Sequence, residues 1–381
     1  MKRIFQCFWI LLFIFSSHFL LGQDSISVKK EKKYAKYIDV RFENGAMLGT
    51  SKEIGQQLVD ASYYNGFDIR LGFRKTDPYD VYGNVYRRPY LGVGYYQSTF
   101  HNEAVGYPTA MYFFLTMPFT FEENKKFNLA YTGAFGLSYN FNPYDSIGNP
   151  TNIFIGSVRN CYVHLGIEAK YKFNEKWALK GTFGFKHFSN GSFKQPNLGI
   201  NLFPLTIAGS YKFGKTEIDH YKKPIPKYIK HNLYNITFSA GSKNYEHGEP
   251  NHLKTALGFN YLRQINYKYR LGIGTDIFYS ADAEERNTSD ASNFSKSFSF
   301  GIVGSWEWVV SPRVYVPLGV GVYLHRNEEN NEKDPVYLRA GIRTRITEHF
   351  NAGVTIKAHK GVADFFEWTL AYTIHQDPNK Y

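Results

Sequence analysis

The sequence predicts an all-β fold: an antiparallel transmembrane β-barrel of about 16 strands, arranged as two tandem eight-stranded barrels. Three observations carry this. Apolar and polar residues alternate with period two in one segment after another, to the end of the chain. Aromatic residues are abundant, with 31 Tyr and 33 Phe, and no stretch beyond the N-terminus is apolar and long enough for a spanning helix. Finally, Lys2-Arg3, an apolar run from Ile4 to Leu21 and then Gly22-Gln23-Asp24 read as a secretory signal peptide, residues 1–22. An exported, strand-rich, aromatic-rich chain points to a bacterial outer membrane.

The first barrel is expected over residues 35–214. Its first strand sets Ile38, Val40 and Phe42 on one face, and its second sets Phe67, Ile69, Leu71 and Phe73 against Asp68, Arg70 and Arg74. Leu91, Val93 and Tyr95 mark the third. The fourth is read through Met111, Phe113, Leu115, Met117, Phe119 and Phe121. In the fifth, large residues from Phe127 to Tyr139 oppose Asn128, Ala130, Thr132, Ala134 and Ser138. The sixth sets Val163, Leu165 and Ile167 against His164, Glu168 and Lys170. The seventh runs from Trp177 through Phe183, Phe185, His187 and Ser189, with Lys180 and Lys186 opposite, and the eighth carries Phe203, Leu205 and Ile207 outward. From Trp177 to His187 such a strand, rising about 3.3 Å per residue and tilted near 45°, crosses most of a bilayer's hydrocarbon.

Short links at 122–126 and 174–176 alternate with long ones at 142–160 and 190–200, which assigns the short turns to the periplasm and the long loops to the outside. His187 then arrives at the outer leaflet. A basic connector with Pro224 and Pro226, residues 215–230, divides the strands evenly. Beyond it, residues 231–376 show eight more alternating segments, the last with Phe366, Trp368, Leu370 and Tyr372 outward. The even division favours two barrels over one wide barrel.

Composition narrows the partners. Losing Lys2 and Arg3 with the leader takes two from a formal charge of +12, leaving a basic chain suited to phosphate-bearing lipid headgroups. The basic residues are scattered through strands and loops of an exported chain, so nucleic acid is excluded as a partner. Cys7 leaves with the leader and Cys161 remains alone, so no intramolecular disulfide forms. No phosphate-binding loop, dinucleotide fingerprint or zinc spacing occurs, and neither metal nor cofactor is expected.

The chemistry concentrates in residues 177–201. His187 and Ser189, two apart on one strand, share a face with Cβ atoms about 7 Å apart, within reach of an imidazole–hydroxyl hydrogen bond. A base beside a hydroxyl is the minimum apparatus for acyl transfer. The next strand returns antiparallel, and Asn201 falls on the same face, placed to meet His187 and fix its tautomer. A polar pair on a barrel rim is commonly structural. On a surface facing lipid, however, its cost favours a functional reading.

His187-Phe188-Ser189-Asn190-Gly191 followed by Pro196-Asn197-Leu198-Gly199 resembles the signature of the PagL-type lipid A 3-O-deacylases, the acyloxyacyl hydrolase family. The likeness covers roughly residues 35–214, and the second half is similar to longer members of the group more loosely. The resemblance implies an eight-stranded outer-membrane barrel whose serine hydrolase site faces lipid and cleaves an ester-linked 3-hydroxyacyl chain from lipid A. It implies Ser189 as nucleophile, His187 as general base, and Asn190 with the Gly191 N–H as oxyanion donors. Where the family pattern has a glutamate at the start of the last strand, this chain has Asn201, and no Asp or Glu occurs between Glu175 and Glu217. An asparagine orients an imidazole but adds no charge to stabilise an imidazolium.

Other candidates read as structural. By parity His359 and Glu367 face the lumen of the second barrel, and Gly361 stands where a serine would be needed. Asp68, Arg70, Glu168 and Lys170 fit a luminal charge network, as do Arg339, Arg343 and Arg345. Against the esterase stand two other readings: a porin-like or structural barrel without catalysis, and a pair of soluble β-sandwiches.

Overall fold

The computed structural model describes residues 34–122, 125–286 and 292–376; the leader segment and Cys7 lie outside them. Its first eight strands are β1 Tyr34–Met47, β2 Tyr64–Lys75, β3 Tyr90–Thr99, β4 Gly106–Pro118, β5 Phe127–Phe141, β6 Asn160–Lys172, β7 Trp177–Ser189 and β8 Ile200–Phe213. Each pairs antiparallel with the next, and β8 closes onto β1. The remaining eight are β9 His231–Lys243, β10 His252–Gln264, β11 Tyr269–Ser280, β12 Phe298–Val309, β13 Val314–His325, β14 Val336–Arg345, β15 Phe350–His359 and β16 Val362–Gln376. They close separately, β16 onto β9. The chain therefore forms two closed eight-stranded barrels, and the single wide barrel is ruled out.

Alternation decides which way each side chain points. In β1, Asp39 and Arg41 are fully buried while Phe42 between Arg41 and Glu43 is 63% exposed; in β7, Lys186 is fully buried and Phe183 is 59% exposed. The apolar surface is thus on the outside and the charge within. A continuous belt of exposed Phe, Leu, Ile and Val on every strand is untenable in water and fits a bilayer, which removes the soluble-sandwich reading.

Eight strands enclose a space that side chains fill. In the first barrel Arg41 reaches Asp68 and Glu168, both at 3.3 Å, and Thr182 at 3.1 Å. Lys180 pairs with Asp39 at 2.7 Å, and Lys186 pairs with Glu43 while its ammonium lies 4.0 Å from the centroid of the Tyr96 ring. In the second barrel Arg339 bridges Asp276 and Glu367, and Lys357 bridges Glu332 and Asp364. His359 bonds Tyr323 at 3.0 Å, so His359 and Glu367 are luminal as expected. Removing one cation from such a network strands its partners. Arg41→Met is expected to lower stability by about 3–5 kcal/mol, seen as an earlier heat-induced mobility shift on gels; a loss under about 1 kcal/mol would show the network to be dispensable.

Local chemistry closes the turns at the inner end. Asn174 Oδ1 accepts from the N–H groups of Lys176 and Trp177, and Asn266 Oδ1 accepts from those of Lys268 and Tyr269. One connection breaks the expected alternation of lengths. Residues 76–89, between β2 and β3, form a long inner link with a helical turn Val81–Val85, whose following Tyr86 donates to the Val309 carbonyl of the second barrel at 2.5 Å. The fourth strand also stops earlier than the alternation implied: it ends at Pro118, leaving Phe119 and Phe121 outside it, and Met117 is buried.

Candidate active site

Strand β7 rises to the long-loop end of the first barrel, and Phe183, Phe185, His187 and Ser189 share one of its faces, exposed at Phe183, half-buried at Phe185 and His187 and buried at Ser189. His187 lies directly opposite Asn201 of β8, and Ser189 opposite Cys161 of β6. The imidazole is held edge-on between two polar groups. Its Nδ1 is 2.6 Å from Asn201 Oδ1 and its Nε2 is 2.8 Å from Ser189 Oγ. Because an amide oxygen only accepts, Nδ1 carries the proton and Nε2 presents a lone pair to the serine hydroxyl. Below, the Phe185 ring stacks on the imidazole, 6.2 Å between centroids and 16° from parallel. The hydroxyl, the ring and the amide are therefore aligned in one row, able to move a proton from Oγ to Nε2.

The loop 190–199 that joins β7 to β8 sets the rest of the geometry. The Asn190 side chain donates to the Lys194 carbonyl at 2.8 Å and accepts from the Lys194 N–H at 3.2 Å, while its own N–H donates to Asn197 Oδ1 at 3.0 Å. Asn190 thus shapes the turn and keeps one hydrogen of its amide nitrogen unengaged. Among the described residues no hydrogen bond engages the Gly191 N–H either, so both members of the expected oxyanion pair retain a donor. The role of Asn197 was not legible from the sequence, because its bond crosses the loop.

Gly199 has a purely spatial role. Its φ is +76°, and a Cβ there would lie 2.6 Å from His187 Cε1. Gly199→Ala is expected to displace the imidazole and lower turnover about tenfold with the barrel intact; kinetics on detergent-solubilised protein at wild-type rates would contradict this. The loop is also pinned from the neighbouring loop 142–159, where the Phe154 carbonyl accepts from the Gly199 N–H at 2.9 Å. A cavity at the opposite, inner mouth, lined by Tyr37, Arg74, Glu122 and Lys170, does not reach this row of residues.

Closed barrels with apolar walls and charged lumens define an integral outer-membrane β-barrel protein. Within that class the chain belongs to the PagL family: the model of the lipid A 3-O-deacylase (PagL) family matches residues 67–209, and that of the acyloxyacyl hydrolase C-terminal domain matches residues 232–376. Membership makes it a hydrolase that acts on lipid A from within the outer membrane. No curated protein gives a significant match to the sequence. Among solved structures, the β domain of a Bordetella autotransporter is similar at 10% identity and a TM-score of 0.26, covering 90% of this chain and 98% of that one. An outer-membrane channel from Pseudomonas putida is similar at 11% identity and a TM-score of 0.19, covering 93% and 100%. Superpositions this loose bear on neither strand pairing nor function.

Proposed function

We propose that the protein is a serine esterase that removes an ester-linked 3-hydroxyacyl chain from lipid A, working from the lipid-facing side of its first barrel. The observation that carries this reading is the unbroken row Asn201, His187, Ser189, with contacts of 2.6 and 2.8 Å, on the same outer face as the apolar residues of β7. Ser189 Oγ attacks the ester carbonyl while its proton passes to His187 Nε2. The Gly191 N–H is the donor for the oxygen that gains charge. Collapse breaks the bond to the sugar oxygen, which leaves with the proton from Nε2, and the chain remains as an ester on Ser189. Water, deprotonated by the same nitrogen, then releases the 3-hydroxy acid and restores the hydroxyl.

A site on the outer wall needs no substrate to leave the bilayer. An acyl chain lying among its neighbours already extends past Phe183 and Phe185 to the height of Ser189. The porin-like alternative finds no comparable support, since salt bridges and tyrosines occupy both lumens. Mass spectrometry of lipid A from cells with and without the protein tests the reading: one 3-hydroxyacyl chain should be lost where the protein is present. An identical lipid A profile in both would count decisively against an esterase of this specificity.

A further inference from the structure

The loop that follows Ser189 is anchored to the second barrel. Gly191 is pressed against it: a Cβ on that residue would lie 3.1 Å from Phe366 Cβ and 3.8 Å from Ile356 Cδ1. One residue on, Ser192 Oγ donates to the Ala363 carbonyl at 2.9 Å, and the Ser192 carbonyl accepts from the Asn244 N–H at 2.9 Å. Asn244 Oδ1 in turn accepts from the Gln195 N–H at 2.9 Å, and Asn251 Nδ2 donates to the Phe193 carbonyl at 3.0 Å. Asn244 is 2% exposed, and its amide nitrogen donates to the Glu249 carbonyl at 2.9 Å, so its orientation is fixed within its own loop.

We infer that the second barrel is a positioning part of the esterase site, with Asn244 as its principal positioning residue; the inference rests on the assignment of Ser189 as nucleophile. The physical reason lies in the Gly191 peptide. Gly191 and Ser192 both have positive φ, at +60° and +64°, which Gly191 adopts freely and leaves as freely, while Ser192, with its Cβ, holds it only with support. The first barrel supplies Asn190 and Asn197 to hold one side of this turn, and the Gly191 N–H must be fixed from the other side to face a developing oxyanion. Asn244 does this by binding the chain at two points on the far side of the turn, Ser192 O through its backbone N–H and Gln195 N through its side-chain oxygen. Such an anchor acts on the transition state rather than on substrate binding, since an oxyanion donor gains its value only as charge forms.

The test uses the full chain in detergent micelles and an alkyl fluorophosphonate, which loses fluoride on attack by an activated serine; mass spectrometry locates the label. Wild type should label at Ser189. Asn244→Leu should label about tenfold to a hundredfold more slowly, the range expected when a reacting group or one oxyanion donor is misplaced. Its KM for p-nitrophenyl laurate should stay within about twofold while kcat falls, with kcat taken per mole of closed barrel counted from its heat-modifiable band, so that a smaller folded fraction does not register as a slower site. Asn244→Asp keeps the acceptor for the Gln195 N–H and should recover most of the rate. Asn251 is exposed, so Asn251→Ala leaves folding intact and should slow labelling about threefold through Phe193 alone. Labelling of both Asn244→Leu and Asn251→Ala at the wild-type rate, with Ser189 labelled in wild type, overturns this inference and leaves the esterase reading standing. Absence of label at Ser189 in wild type overturns both. If Asn244→Leu fails to show the heat-modifiable band of a closed barrel, the Asn251→Ala rate decides.

Discussion

Ser189→Ala is expected to reduce release of the acyl chain by about 10⁴- to 10⁶-fold, to the level that binding and electrostatics alone provide. The large figure follows from covalent chemistry. Without Oγ no acyl-enzyme forms, and His187 can at most direct a water molecule from a site shaped for a serine. The fold should tolerate the change, because Oγ is bonded to the His187 ring, and losing that bond costs about 1 kcal/mol. Cells expressing the variant should therefore carry full-length barrel with unmodified lipid A. Wild-type loss of the chain in that strain would place the nucleophile elsewhere and dissolve the role of the whole row. His187→Ala should fall in the same range, since the two act as one unit and their losses do not add.

Much of this arrangement was readable before any coordinates, for a simple reason. In a strand parity is fixed by the backbone, so once Phe183 and Phe185 are read as outward, His187 and Ser189 must follow and Lys180 and Lys186 must turn in. The same logic put Asp68, Glu168 and Arg339 in the lumens, where they now appear as ion pairs. Parity fails where strands end. Strand β1 continues through Asn44 and Gly45, which show no apolar alternation but pair with Asn65 and Tyr64 on one side and Leu205 and Pro204 on the other. Met117 shares the parity of Met111 and Phe113 yet is buried beside the Tyr131 hydroxyl, next to the proline that ends β4. Contacts between loops have no period at all. Asn244 lies 49 residues from Gln195, and nothing in the intervening sequence ties them together until both barrels have closed.

The third position of the row carries the other large effect. Asn201 Oδ1 sits 2.6 Å from His187 Nδ1 and keeps the proton there, so that Nε2 is free to accept from Ser189. Asn201→Leu keeps the branched four-atom side-chain skeleton and has no acceptor. The ring would then be free to rotate or to place its proton on Nε2, where it blocks attack, and turnover is expected to fall about 10²- to 10³-fold, somewhat less than the 10⁴ that a wrong tautomer costs a serine protease. Asn201→Asp should act in the opposite direction. A carboxylate keeps the acceptor and adds a charge next to the imidazolium that forms as Ser189 attacks, which in a water-poor wall is worth more than in solution. The expected order of kcat, measured on one ester in one detergent, is Leu below Asn below Asp. That order separates two roles that an acid in this place would perform together: Leu against Asn measures orientation alone, and Asn against Asp measures charge alone. Equal rates for all three would mean that His187 is held by Phe185 and Gly199 without its neighbour, and that Asn201 is a bystander on the outer wall.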